Sequence, residues 1–224
     1  VALLPGDDAG GEGGLGVGGG QTLPRQEGRR DRIIRPFPHR LPPMSTPSEP
    51  SAVQAMACND SPLPAELDSR PLRNALGRFA TGVTVVTALD ADGHPIGLTV
   101  NSFAAVSLAP PLVLWSLANA SHNFAAFRHC RHYCINVLAV DQVDLSNRFA
   151  TWPADRFAGL AWQGGIDGVP VLSGCCASFE VRNDHVYPGG DHHIFVGQVQ
   201  RFGEDVARQP LLFHAGRYRS LLAE

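Results

Sequence analysis

The segment GGDHHIFVGQV (189–199) places Asp191, His192 and His193 directly after a Gly-Gly pair, at the start of an apolar run. Histidine donates hydrogen bonds to phosphate or carbonyl oxygens and titrates near neutrality. Strand alternation sends His192 and His193 to opposite faces, so that one can face a pocket while the other meets solvent. A second segment, LTVNSFAAVS (98–107), carries Thr99, Asn101, Ser102 and Ser107 in an otherwise apolar strand. Hydroxyls and an amide in such a place suit neutral hydrogen bonds to polyol hydroxyls or to a phosphate. A third, SLANASHNF (116–124), adds Ser116 and a helix start capped by Ser121. A helix N-terminus offers free N–H groups and a favourable dipole to an anion. The last two segments together make a phosphate cradle without lysine or P-loop; the same residues read equally well as a Thr/Ser-rich strand face and an ordinary cap.

Other clusters carry less. HCRHYC (129–134) holds zinc-type ligands, but a strand points them to opposite faces and four so close cannot surround one tetrahedral ion. They read as buried thiols and strand histidines, and no metal is expected. Adjacent Cys175 and Cys176 add no ligand spacing, and Asp90, Asp92, Asp141 and Asp144 read as turn and cap carboxylates. No G-x-S-x-G elbow, H-E-x-x-H or P-loop is present. GGLGVGGG (13–20) does satisfy G-x-G-x-x-G through Gly14, Gly16 and Gly19. That fingerprint binds a dinucleotide only between a strand and a helix. Here VALLPGDDAG precedes it and QTLPRQEGRRDR follows, so it reads as a flexible tail.

The 224 residues carry a net charge of −3, and all 18 Lys-plus-Arg side chains are arginine. Nothing in this balance points to nucleic acid or an anionic membrane. No apolar run reaches the roughly 18 residues that span a bilayer, and no signal peptide is legible at the start. An odd five cysteines without framework spacing suit a reducing cytoplasm. Residues 1–60 are rich in Gly, Pro, Ser and Arg and show neither helix nor strand periodicity, which predicts a disordered N-terminal extension. Met44 stands near its end, so residues 1–43 are expected to be an upstream extension of the working protein.

One domain is expected over 65–224. A helix with Leu72, Ala75, Leu76 and Phe79 on one face precedes strands at 83–89, 98–106, 111–117, 133–140, 176–183, 193–202 and 211–218. Helices are expected at 121–130 and 141–150, capped by Ser121 and Asp141. Strands that follow one another without crossover helices predict antiparallel sheet, and six or seven of them predict a barrel that closes its edges.

Taken together, LRNALGRFATGVTVVTA (72–88), GLTVNSFAAVSLAPPLVLWSL (97–117), CINVLA (134–139), GGDHHIFVGQV (189–199) and PLLFHAGRY (210–218) resemble the flavin reductase family over roughly residues 70–222. The resemblance implies a mainly β protein, an antiparallel Greek-key split barrel that binds FMN, with flanking helices, forming a homodimer. It implies an NAD(P)H-dependent flavin reductase that passes a hydride from NADH (or NADPH) to FMN (or FAD) and supplies reduced flavin to a partner flavin-dependent monooxygenase. Carried over by motif, Thr99, Val100, Asn101 and Ser102 line the flavin, with Ser107, Ser116 and Leu117 close to it and Ser121 facing its phosphate. His192 sits by the nicotinamide or its diphosphate as the catalytic residue, and Tyr218 closes the same pocket. The chain departs from the family pattern at His193, where a hydroxyl residue often stands, at the missing basic residue of LANASHNF, and at Cys175–Cys176. The alternative is a split-barrel protein that binds flavin or haem without turnover, as an electron carrier or sensor.

Overall fold

The computed structural model describes residues 69–151 and 155–221. The Gly-rich stretch 13–20, the expected extension 1–60 and Met44 lie outside them. In chain order the elements are α1 (Ser69–Leu76), β1 (Thr81–Gly82), β2 (Thr84–Leu89), β3 (Pro95–Val100), β4 (Ala104–Leu108), β5 (Pro111–Ala118), α2 (Phe124–His129), β6 (His132–Val137), α3 (Val143–Ala150), β7 (Trp162–Gly164), β8 (Pro170–Leu172), β9 (Ala177–Gly189), β10 (His192–Glu204), β11 (Leu212–His214) and β12 (Arg217–Arg219).

Seven strands form one antiparallel sheet in the order β3-β2-β6-β9-β10-β5-β4. Its two edges, β3 and β4, are consecutive in the chain, joined only by Asn101, Ser102 and Phe103. Six interstrand gaps would separate these edges by about 29 Å in a flat sheet. Four Cα–Cα links reach about 15 Å at most. The sheet is therefore forced to curl until its edges approach, which is the split-barrel shape. The edges meet at this corner without pairing along their length, so the closure expected from the strand count is not made by a backbone ladder. A three-stranded sheet β1-β11-β12 and a hairpin β7-β8 complete the described β structure.

Strand alternation divides the core in two. On β2, Val86 and Ala88 face the inside of the curl, while Val83 just before it and Val85 face the other way. The inner core gathers round Trp115, which stacks on Phe195 at 4.6 Å and meets Phe127 and Tyr133 edge-on. The outer core joins Val83, Val85, Leu138, Phe149, Leu211 and Phe213 beneath α3 and the small sheet. A strand buried on both faces reads as a continuous apolar run, which is why VTVVTA carries so little polar signal.

Several elements differ from the sequence reading, each for a local reason. The expected strand 98–106 is broken by the corner at 101–103, and the expected strand 211–218 is a hairpin folded at Ala215–Gly216. Both turn residues have positive φ, 50° and 74°, the conformation that a two-residue hairpin demands. The helices begin at Phe124 and Val143, not at Ser121 and Asp141, and neither start is capped by a side chain. Asp141 instead pairs with Arg208 at 3.0 Å. The apolar face expected on the first helix is exposed among the described residues: Leu72 is 46 % accessible and Phe79, past its end, 78 %. The β7–β8 hairpin had no legible periodicity.

Ala215 holds a left-handed conformation that costs an L-residue about 1 kcal/mol. Ala215→Gly keeps its N–H bond to the Gly77 carbonyl and relieves that cost. Thermal unfolding is expected to show a midpoint about 2–4 °C higher.

Candidate functional site

The β5–β10 ladder pairs Ser116 with Ile194, Leu117 with His193 and Ala118 with His192. Directly paired residues share a face. Ser116 and His192 therefore lie on the outer face of the curled sheet, and Leu117 and His193 on the inner one. The inner placement is visible in packing: Leu117 is buried, and the His193 ring lies 4.8 Å from the Phe124 ring. The two histidines thus take opposite faces, as alternation requires, although His193 meets Phe124 rather than open solvent.

His192 Nδ1 lies 2.7 Å from Asp191 Oδ1. An ionised carboxylate only accepts, so the imidazole donates from Nδ1 and leaves Nε2 available. The hydrogen bond from His192, reinforced by its charge, holds the Asp191 carboxyl below its ordinary pKa. The imidazole is 16 % exposed while the carboxylate is 94 % exposed, so the pair is open on its acidic side.

Ser102 fixes the corner to β5. Its hydroxyl accepts from the Ser116 N–H at 2.9 Å and donates to the Ser116 carbonyl at 3.3 Å, continuing by side chain the ladder that β4 and β5 start at Ala104–Leu114. The backbone N–H groups of Asn101, Ser102 and Phe103 meet no acceptor among the described residues. Three half-buried, unpaired donors in a row are uncommon in a folded chain and suit an electron-rich ligand.

The other expected residues are dispersed. The Thr99 hydroxyl is buried and donates to the Ser146 carbonyl at 2.7 Å, and Val100 is in the inner core. Side chains at both positions are committed to packing. Tyr218 donates to Asn147 Oδ1 at 2.9 Å and lies 2.9 Å from Ser146 Oγ, so Thr99 and Tyr218 converge on α3 rather than on His192. Ser107 sits beside a bulge opposite Leu112, four β5 positions or about 13 Å from Ser116. Its hydroxyl accepts from the Ala109 N–H. Ser121 accepts from the Asn123 N–H at 3.3 Å, inside the turn that leads to α2. The structure therefore brings together Asn101, Ser102, Ser116 and His192. Asn119, which sequence reasoning missed, belongs with them: its N–H donates to the Asp191 carbonyl at 2.9 Å.

The HCRHYC residues diverge. The Cys130 thiol points to the Phe127 carbonyl, His132 pairs with Asp167, and Cys134 is buried. Burial pushes the Cys130 thiol up to about 12, and the Cys175 thiol likewise, so both stay protonated at neutral pH. Among the described residues, only Asp90, Asp92 and His94 place three ligand atoms within 4.8 Å. There Asp90 Oδ1 already accepts from the N–H groups of Asp92 and His94, closing the β2–β3 turn. A cavity of about 280 Å³ beneath Asp141, Asp144, Leu145 and Leu160 includes none of the expected residues. No described helix is long and apolar enough to cross a membrane.

The sequence model of the flavin reductase like domain matches residues 76–222. The chain is similar to the FMN reductase (NADH) SmoA of Agrobacterium fabrum, 49 % identical over 70 % of this chain and 88 % of that protein. It is similar to HsaB, the reductase subunit of a flavin-dependent monooxygenase of Rhodococcus jostii, 40 % identical over 69 % of this chain and 79 % of that one. Among solved structures it resembles the NADH:FAD oxidoreductase SgcE6 of Streptomyces globisporus in complex with NAD and FAD fragments. The TM-score is 0.66 at 36 % identity, covering 70 % of this chain and 98 % of that chain.

Ser102→Ala removes both bonds to Ser116 and leaves the Ser116 N–H without its partner. Chemical denaturation is expected to show a loss of about 1–3 kcal/mol.

Proposed function

Since the chain belongs to the flavin reductase like domain family, we propose that it is an NADH:flavin oxidoreductase that delivers reduced flavin to a flavin-dependent monooxygenase, its catalytic domain beginning at about residue 65. The observation that carries the reading is the corner at 101–103. Its unpaired N–H groups stand beside Ser116, which lies one diagonal step, about 7–8 Å, from His192 across the β5–β10 ladder.

The residues present fit a flavin. Asn101, Ser102 and Phe103 offer backbone donors to an electron-rich ring edge, and Ser116 offers a neutral hydroxyl to the side chain of FMN or FAD. When both nucleotides are bound, a hydride passes from nicotinamide to flavin, and that chemistry belongs to the cofactors. The protein's part is alignment and charge. The donors of the corner favour the negative charge that the flavin ring gains on reduction. His192 holds the nicotinamide nucleotide through Nε2, with Asp191 fixing its tautomer. Preference for NADH fits the placement of Arg182, which lies opposite Gln198, six β10 positions or about 20 Å from His192, and is tied to Asp184 at 2.6 Å and to Gln198 at 2.7 Å, leaving it ill placed for a 2′-phosphate. A cytoplasmic site of action fits four described cysteines that are all free thiols.

We also propose a homodimer. The edge strand β4 exposes Ala104, Ala105, Val106 and Leu108, the last 88 % accessible. An exposed apolar edge invites pairing or cover. Because β4 starts at the corner, a second copy laid on it would also wall the flavin site.

The purified chain is expected to oxidise NADH only when FMN or FAD is added, read from the loss of NADH absorbance. A tightly held chromophore with no oxidation would overturn the reading. His192→Ala is expected to raise the KM for NADH about tenfold and the KM for flavin less than twofold; equal rises would remove His192 from the nicotinamide site. Leu108→Glu is expected to shift sedimentation from dimer to monomer, and an unchanged coefficient would move the interface elsewhere.

A further inference from the structure

Asn119 makes three hydrogen bonds, and all of them go to the residues that bracket His192. Its backbone N–H donates to the Asp191 carbonyl at 2.9 Å, its side-chain Nδ2 donates to the Gly190 carbonyl at 3.2 Å, and its Oδ1 lies 2.6 Å from His193 Nδ1. The amide orientation is fixed by this set. A carbonyl accepts only, so Nδ2 must face Gly190 and Oδ1 must face His193. His193 therefore donates from Nδ1.

We propose that Asn119 and His193 form a latch that positions His192 for the nicotinamide nucleotide, an inference that rests on the function proposed above. The need for it lies in the turn. Gly190 and Asp191 join β10 to β9, which ends at Gly189, and Gly190 takes φ +71° with nothing near where a side chain would stand. Two glycines leave such a turn with more freedom than any other pair. A hydrogen-bonding imidazole has to be held to a fraction of an ångström to act on its ligand. The ladders fix the His192 backbone at Gly189 on β9 and at Ala118 on β5, but the turn residues Gly190 and Asp191 lie beyond both. Asn119, the first residue after β5, extends the hold to these two, and so to the Asp191 carboxylate that orients the His192 imidazole. His193 closes the latch from within, since its ring is seated against Phe124 and it cannot swing away without losing that contact. Adjacent histidines on opposite faces then have separate tasks: the outer one meets the ligand, and the inner one holds the asparagine that holds the turn.

The test uses the full chain with NADH and FMN. Asn119→Ala removes both side-chain bonds of the latch and is expected to raise the KM for NADH about fivefold, the equivalent of one ordinary hydrogen bond felt at His192, with kcat and the KM for FMN within twofold. His193→Phe keeps the ring against Phe124 and removes the donor, so it is expected to match Asn119→Ala. His193→Asn places an amide N–H near the Nδ1 position and is expected to restore the KM for NADH to within twofold of the parent. Backbone hydrogen exchange over residues 189–193 is expected to quicken in Asn119→Ala and His193→Phe and nowhere else. A parent-like KM for NADH in His193→Phe, equal rises for NADH and FMN, or failure of His193→Asn to rescue would each overturn the latch. If the parent chain itself fails to oxidise NADH, the proposed function falls. Exchange then decides the latch alone, and unaltered exchange at 189–193 overturns it.

Discussion

The fold depends on one short piece of chain. Asn101, Ser102 and Phe103 must carry the backbone from β3 to β4, from one edge of a seven-stranded sheet to the other. That requirement curls the sheet, and the curl creates an interior that only large side chains can fill. Trp115, Tyr133, Phe127 and Phe195 are fully buried there and touch as stacked and edge-on pairs. The same requirement takes the three corner residues out of every ladder. Their backbone hydrogen-bonding groups are left over because the chain has to turn, and the proposed flavin site lies where they are left.

The second core answers a different demand. A strand buried on both faces still has polar side chains to satisfy. Thr87 donates to the Pro170 carbonyl at 2.5 Å, and Asn136 donates to the Val85 carbonyl while its oxygen accepts from the Leu172 N–H. These bonds reach from the central strands to β8, so they pin the small hairpin over the barrel. Glu180, buried and paired with Arg201, accepts from the Ile166 N–H and secures the turn between β7 and β8. The polar residues of the interior thus mark where satellite elements attach.

What was legible in the sequence followed from period and chemistry. The runs at 84–89 and 111–118 are strands because they are β-branched or alternate, and the split of His192 from His193 follows from alternation alone. The family resemblance was legible because its segments recur in order through the whole domain. Breaks within apolar runs were not legible: Ala215 adopts a glycine's conformation without being glycine, and nothing in NSF signals a corner. Roles set by distant partners were also hidden. Thr99 has the chemistry of a ligand-binding residue, yet its hydroxyl is taken by Ser146, 47 positions away. Asn119 looks like an ordinary loop residue, and its partners lie 71 and 74 positions on.

The donors at the corner belong to the backbone. A site made this way is insulated from mutation at two of its three positions: replacing a side chain at 101 or 103 alters shape and solvation but spares each N–H, whereas the Ser102 hydroxyl ties the corner to Ser116. Proline is the exception, since it has no N–H to offer. Drift in side-chain identity at 101 and 103 and retention of the proposed binding are therefore compatible, and sequence divergence at these two positions is a poor guide to divergence of activity.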